Sequence, residues 1–259
     1  MNPWLTVITV VKDDLQGFQL TVNSLVQQQL EGVEFLVIDS SKERSLVSDL
    51  VQSIKVPDHR VLWVKPEGIY AAMNDGIKNA NGEYIYFANA GDSFASPTTL
   101  FDIRRVISTM DPDWVVGRIQ IVEQSGKVVV SPLWDYAAEK SHFFARGHFA
   151  PHQGTFVRTS TVRALGGFDT SYSIAADYAL FLKLTAVSNP VMVDQVIGRF
   201  VEGGASSVHW RQSFREFHRA RSETLHLSFL NSIRERLETS QHLIKVRVVK
   251  LLRFLNFKT

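Results

Sequence analysis

The chain has 259 residues, with 28 Lys/Arg against 26 Asp/Glu, 45% hydrophobic and 21% charged residues, and no cysteine. That composition fits a globular protein with one main core and an appendage, and it excludes a disulfide framework, a thiolate zinc site and a cysteine nucleophile. Charge is unevenly spread: residues 211–259 hold 11 basic and 4 acidic side chains (net +7), leaving 17 basic and 22 acidic elsewhere (net −5), so we expect a main domain over 1–210 and a basic helical extension over 211–259.

Met1–Lys12 has no basic n-region and no small-residue cleavage site. No stretch reaches the roughly 18 uninterrupted apolar residues of a spanning helix. The expectation is a cytoplasmic chain that neither carries a cleaved signal nor crosses a bilayer. Leu5–Val11 is a continuous β-branched run, the pattern of a parallel strand buried on both faces. A helix follows over 19–29, a strand over 34–38, a helix over 45–54, a strand over 60–64, a helix over 70–79 closed by Asn81-Gly82, and a strand over 84–88. This alternation predicts an α/β fold with a doubly wound, mostly parallel sheet. Further on, 114–121 and 127–130 read as a hairpin, 152–158 as a strand, 177–185 as a helix, 203–207 as a flexible glycine loop, and everything from about 212 as helix.

Ligands of doubly wound sheets lie beyond the carboxyl ends of the strands, and here those ends carry Thr9 and Lys12, Asp39, and Asn89–Asp92. Gly91-Asp92 places a carboxylate beside a residue that lets backbone approach, a usual way to hold a metal against a diphosphate; Asn-Ala-Gly-Asp is equally good turn chemistry. Asp39 suits either a ligand role or a helix N-cap. Asp177 opens a helix with an apolar face, where the helix dipole favours an acid and an apolar wall suits a working base.

The stretch Gly68-Ile-Tyr-Ala-Ala-Met-Asn-Asp-Gly-Ile-Lys-Asn-Ala-Asn-Gly-Glu-Tyr-Ile-Tyr-Phe-Ala-Asn-Ala-Gly-Asp92 resembles the signature of family 2 glycosyltransferases, in the flavour of the bacterial exopolysaccharide, colanic-acid and O-antigen branch. Val37-Ile-Asp39-Ser-Ser, His152-Gln-Gly-Thr-Phe-Val-Arg158, Gly166-Gly-Phe-Asp169, Ala176-Asp-Tyr-Ala-Leu-Phe-Leu182 and Phe200-Val-Glu-Gly-Gly-Ala-Ser206 follow in the family's order, so the resemblance covers about 4–207. It implies a GT-A fold and a nucleotide-sugar donor. Thr9, Lys12, Asp39, Asn74, Asn89 and Gly91 would line the donor site, and Asp92 would bind Mg²⁺ or Mn²⁺. Asp177 would be the base of an inverting transfer, His152 would border a sugar, and Gly203 and Gly204 would let a lid close. Two departures stand out: Asn89 replaces the first acid of Asp-x-Asp, and Ala176 the acid often found before the base. Asp75, Glu67 and Asp169 are candidates to compensate, and His152 and His209 are further candidate metal ligands.

In the tail, Ile244, Val248, Leu251, Leu252 and Leu255 form one helical stripe among Lys245, Arg247, Lys250, Arg253 and Lys258. Such a helix suits the anionic inner face of a plasma membrane, where the resemblance places a glycan or polyprenyl-linked acceptor. It equally suits packing on the body or on a second copy in a homo-oligomer. No nucleic-acid recognition motif accompanies the basic charge. A nucleotidylyltransferase would need a glycine-rich triphosphate loop, which Val10-Val-Lys-Asp-Asp-Leu15 lacks. The alternative function is a non-catalytic nucleotide-sugar-binding or scaffold protein of the same fold.

Overall fold

The computed structural model describes residues 2–54, 56–133, 135–136, 151–201, 210–225 and 228–256. Four parallel strands come first: β1 (Leu5–Val11), β2 (Val33–Asp39), β3 (His59–Trp63) and β4 (Tyr84–Phe87), joined by α1 (Leu15–Leu25), α2 (Arg44–Ile54) and α3 (Ile69–Asn79). Every residue of β1, β2 and β4 is buried, as the near-continuous apolar runs require of strands covered on both faces. The chain continues through β5 (Ser93–Phe94), α4 (Thr99–Met110), β6 (Trp114–Val122), β7 (Val128–Val130), β8 (Thr155–Arg158), α5 (Thr159–Ala164), α6 (Ala176–Val187), β9 (Val191–Val201), α7 (Trp210–Thr224) and α8 (Phe229–Asn256).

The sheet order is β3-β2-β1-β4-β8-β6-β9-β5, with β7 on β6. The expected doubly wound, mostly parallel sheet is present; β8 runs antiparallel to β4 and β6, and β5 antiparallel to β9. Alternate side chains divide between two cores. Ile8, Val10, Leu36 and Ile38 pack with α3 and α6, while Val7, Val11, Phe35 and Val37 pack with α1 and α4. Gly76 lets α3 sit close on β1, since a Cβ there would stand 2.5 Å from Ile8 Cγ2. Strands β2 and β4 flank β1, so the sheet reverses its winding beside β1 and opens a crevice at the carboxyl ends of β1 and β4.

Three expectations change. The first helix starts at Leu15 because Asp14 accepts from Gly17 N–H at 2.8 Å and caps it there. Residues 152–154 form a 3₁₀ turn, and the strand begins only at Thr155. The helix α4 and the eleven-residue strand β9 are additional elements. The glycine loop at 203–207 lies outside the described residues.

One buried charge organises this half of the sheet. Glu34 accepts from Thr6 Oγ1 (2.5 Å), Arg60 Nε (2.9 Å), and the backbone and side-chain amides of Asn81 (2.8 Å each). Burial works to raise its pKa, but these donors prevail and hold it below 4.5. Its stabilisation is therefore complete above the ordinary glutamate pKa and lost as pH falls through the depressed value. Glu34→Ala is expected to cost about 3 kcal/mol, since it strands Thr6 and Asn81 donors in the core and leaves Arg60 without its carboxylate. Urea denaturation at neutral pH measures this; a loss under about 1 kcal/mol refutes the hub role.

The basic extension is not loosely tethered. Phe217 and Ala220 of α7 belong to the core shared with α6. The buried Arg221 donates to Glu235 Oε1 (2.5 Å) and Thr239 Oγ1 (2.9 Å) on α8 and to Tyr178 Oη (3.0 Å) on α6.

Candidate active site

At the crevice, Val10, Val11, Lys12, Asp14, Ser40, Pro66, Gly68, Ile69, Ala72, Asn89 and Ala90 line a pocket of about 310 Å³. Its rim is stitched by backbone. Asp13, at φ 53°, donates its N–H to Ser41 Oγ at 2.9 Å and accepts from Lys42 N–H at 2.9 Å. The N-terminus of α3 opens on this pocket at Gly68, whose φ of 111° needs a glycine. No side chain caps that end, so its N–H groups offer the donors and dipole that suit a phosphate.

The predicted residues divide. Lys12 and Asn89 line the pocket, and Asp39 sits just behind Ser40 with Oδ1 accepting from Ser41 N–H at 2.8 Å, which makes it a turn-former rather than a helix cap. Thr9 lies behind the wall: it is fully buried and donates to the Ala88 carbonyl at 2.6 Å. Asn74 departs from its expected role. Its Nδ2 donates to the Phe168 carbonyl and its Oδ1 accepts from Phe168 N–H, both at 2.8 Å, so the side chain is spent clamping the 166–168 turn against α3. Gly203, Gly204 and His209 lie outside the described residues.

Below the pocket, Asn89–Asp92 forms a tight turn closed by Asp92 N–H to the Asn89 carbonyl (2.8 Å) and Asn89 N–H to Asp92 Oδ2 (3.1 Å). Gly91 takes φ 96° there. Thr21 of α1 supports the turn, its hydroxyl 2.7 Å from the Asp92 carbonyl and accepting from Gly91 N–H. Asp92 is only 8% exposed. Burial pushes its carboxyl up to about 6, against the opposing pull of His152, the Asn89 amide and the Gln153 side chain.

His152 joins the two halves of the site. Its Nε2 lies 3.3 Å from Asn89 Nδ2, and its Nδ1 lies 3.6 Å from Asp177 Oδ2, an ion-pair distance rather than a hydrogen bond. Asn89 and Asp177 therefore meet the two nitrogens of one imidazole, which also acts electrostatically on Asp92. Asp177 Oδ1 accepts from Tyr178 N–H at 2.8 Å and lies 3.4 Å from Tyr70 Oη, which also donates to the Ile174 carbonyl. Burial and the nearby Asp177 charge raise the Tyr70 pKa, so the phenol stays a donor.

Behind Asp177, Glu216 of α7 accepts from Ile174 N–H and Ala175 N–H, both at 2.9 Å. A carboxylate reaching in from α7 thus caps α6, beside Ala176, where an acid was expected in sequence. Burial would raise the Glu216 pKa, but these N–H donors hold it down. Of the three candidate compensators, Glu67 pairs with Lys65 at 3.6 Å and Asp169 accepts from Ser171 N–H at 2.9 Å, while Asp75 lies on α3 with its carbonyl accepting from Asn79 Nδ2 at 2.8 Å. Gln153, Tyr70, Thr21 and Glu216 are absent from the sequence-based candidates, because each reaches the site through contacts between residues far apart in the chain.

Among the described residues no three His, Asp or Glu side chains form a ready metal cage. The turn nevertheless offers two hard oxygens, the Asp92 carboxylate and Asn89 Oδ1, which is buried with no hydrogen-bond partner. An orphaned acceptor of this kind fits a hard cation that brings its remaining oxygen ligands with it.

The profile described as Glycosyl transferase family 2 matches residues 6–165. An uncharacterised glycosyltransferase of Mycobacterium tuberculosis is 30% identical over 222 residues, covering 79% of this chain and 78% of its own. Among solved structures, S. aureus TarS 1–349 in complex with UDP-GlcNAc aligns with a TM-score of 0.69 at 17% identity, over 92% of this chain and 71% of that one. The mannosyltransferase PcManGT of Pyrobaculum calidifontis, in complex with GDP-Man and Mn²⁺, aligns with a TM-score of 0.63 at 14% identity, over 96% and 76%. The expected GT-A architecture is thereby shown.

Proposed function

The chain belongs to glycosyl transferase family 2, and from that premise we propose that it moves a sugar from a nucleoside-diphosphate donor to a hydroxyl of a growing glycan or lipid-linked acceptor, with inversion at the anomeric carbon. The observation that carries this reading is His152, which meets Asn89 on the pocket side and Asp177 on the other, so that donor pocket and base share one cleft. The donor's diphosphate lies against the N-terminus of α3, with Lys12 offering a cation from the β1 exit. Asp92 and Asn89 Oδ1 would hold Mg²⁺ or Mn²⁺, whose charge neutralises the departing diphosphate. Asp177 takes the acceptor's proton as its oxygen attacks the anomeric carbon from the face opposite the leaving group. Tyr70 and the Tyr178 N–H fix that carboxylate in place, and His152 holds the spacing between base and turn. The other carboxylates around this cleft are engaged, Glu216 by the Ile174 and Ala175 N–H groups and Asp92 by the Asn89 N–H, which supports a single displacement.

The basic extension supports a peripheral placement on an anionic membrane surface, where a lipid-linked acceptor would be met. No helix of the described residues is long and apolar enough to cross a membrane.

The test is a thermal-shift and transfer screen with UDP-, GDP- and dTDP-sugars, each with and without Mn²⁺. One nucleotide class is expected to raise the melting temperature, more with the cation, and to release its nucleoside diphosphate. A protein stabilised by a donor it never turns over, with any acceptor glycan or lipid extract, is the scaffold of the alternative reading.

A further inference from the structure

A further cavity lies away from the donor pocket, between α7 and α8. It encloses about 500 Å³ and is lined by Arg211, Phe214, Arg215 and His218 from one helix and Arg236, Thr239, Ser240 and Arg247 from the other. The spacings are helical, so each helix turns one face into the cleft. Four guanidiniums around one cavity repel each other unless anions intervene. Of the acids on these two helices, Glu235 is already committed to Arg221 and to His218 at 3.1 Å, and Glu238 to Arg234 at 3.0 Å. The hydroxyls are committed too, Thr239 to Glu235 and Ser240 to the Arg236 carbonyl. Arg215, Arg236 and Arg247 have no acidic partner among the described residues. Planar forks left without carboxylates suit phosphate oxygens, which they bind in pairs.

The neighbouring surface identifies the source of that phosphate. Leu230, Ile233, Leu237, Ile244 and Val248 recur on one face of α8, and all are exposed, Leu230 by 76%. This apolar face lies about a quarter-turn round the helix from Arg236 and Arg247, with Lys245 on its other flank. A soluble phosphate compound gives no reason for an unpartnered apolar stripe beside its pocket. A phospholipid does, because acyl chains begin where the headgroup phosphate ends.

We propose that the α7/α8 cleft is a headgroup site, in which Arg215, Arg236 and Arg247 grip the phosphate of an anionic phospholipid while the Leu230–Val248 face of α8 enters the acyl boundary. This extends the membrane-surface placement given above and names the side chains that make it. The cleft does not border the donor pocket, so lipid binding and sugar transfer are separable.

The full chain is tested by flotation with vesicles of phosphatidylcholine alone and of phosphatidylcholine with one-third phosphatidylglycerol. The wild type is expected to float with the anionic vesicles. A combined Arg215→Gln, Arg236→Gln, Arg247→Gln variant is expected to lose about a hundredfold in affinity, while donor turnover stays unchanged and reports that it is folded. A variant with the same charge loss elsewhere, Lys78→Gln, Arg105→Gln, Lys127→Gln, is expected to stay within about threefold of wild type. Equal losses in both variants would mean diffuse attraction and overturn the site. If the arginine variant floats like wild type but Leu230→Ser with Leu237→Ser does not, the membrane placement stands and the headgroup cleft falls; if the wild type floats with neither vesicle, both fall. Inorganic pyrophosphate in EDTA distinguishes the other source: wild type stabilised by it through these arginines, without vesicle binding, assigns the cleft to a soluble anion and refutes the lipid.

Discussion

Asp177→Asn is expected to slow glycosyl transfer by about 10²–10⁴-fold, the contribution typical of a positioned general base, while donor affinity remains within about twofold of wild type. The substitution is nearly isosteric, and Asn can still accept the Tyr178 N–H that holds the wild-type carboxylate at 2.8 Å. The start of α6 is held independently by Glu216, which bonds the backbone at Ile174 and Ala175. What the variant loses is the capacity to take a proton from the acceptor hydroxyl. The effect therefore falls on kcat and not on the donor's KM. Single-turnover transfer, with donor binding followed by calorimetry, separates the two. A variant that transfers within tenfold of wild type would remove Asp177 from the role of base and leave the cleft without one.

The parts of this architecture that were legible in sequence are those set by local pattern. Runs such as Leu5–Val11 can only be buried strands, and the polar clusters that end them fall at one edge of the sheet because parallel strands share a direction. The placement of Asp92 and Asp177 was legible because each interrupts an apolar run at an element boundary. Asn74 was not, for it sits within the same signature, and only the fold reveals both its amide ends spent on Phe168, 94 residues away. Glu216 illustrates the converse. In sequence it is one acid on a basic helix; in space its carboxylate accepts from the Ile174 and Ala175 N–H groups at the start of α6. Strand β9 escaped the pattern because its residues are mostly half-buried or exposed, with Asp194, Gln195 and Arg199 among its apolar positions. Its partners β6 and β5, not its own periodicity, make it a strand.

Asp92→Asn is expected to stabilise the ligand-free protein while reducing transfer by at least about 10²-fold, the scale on which a lost electrostatic group at the developing charge acts. The folded carboxyl titrates at about 6 against 3.8 for an ordinary aspartate, with burial as the main cause. A group whose pKa rises on folding favours the fold when protonated; that favour is complete below about pH 4 and disappears as pH rises through about 6. At neutral pH the charged Asp92 is thus a cost, worth roughly 2–3 kcal/mol from the displacement of its titration. A neutral amide escapes that cost and can still accept the Asn89 N–H that now bonds Asp92 Oδ2 at 3.1 Å. Without ligands, the variant's melting temperature is expected to exceed wild type by several degrees at pH 7.5, with the excess shrinking as pH falls through about 6 and lost only below about pH 4. With donor and Mn²⁺ the order reverses, because only the wild type draws binding energy from the carboxylate. The same titration predicts that donor affinity of the wild type falls below about pH 6 rather than below about pH 4. A variant no more stable than wild type at pH 7.5, or a donor affinity unchanged down to pH 5, would mean that Asp92 is not held charged against its burial for the sake of the donor.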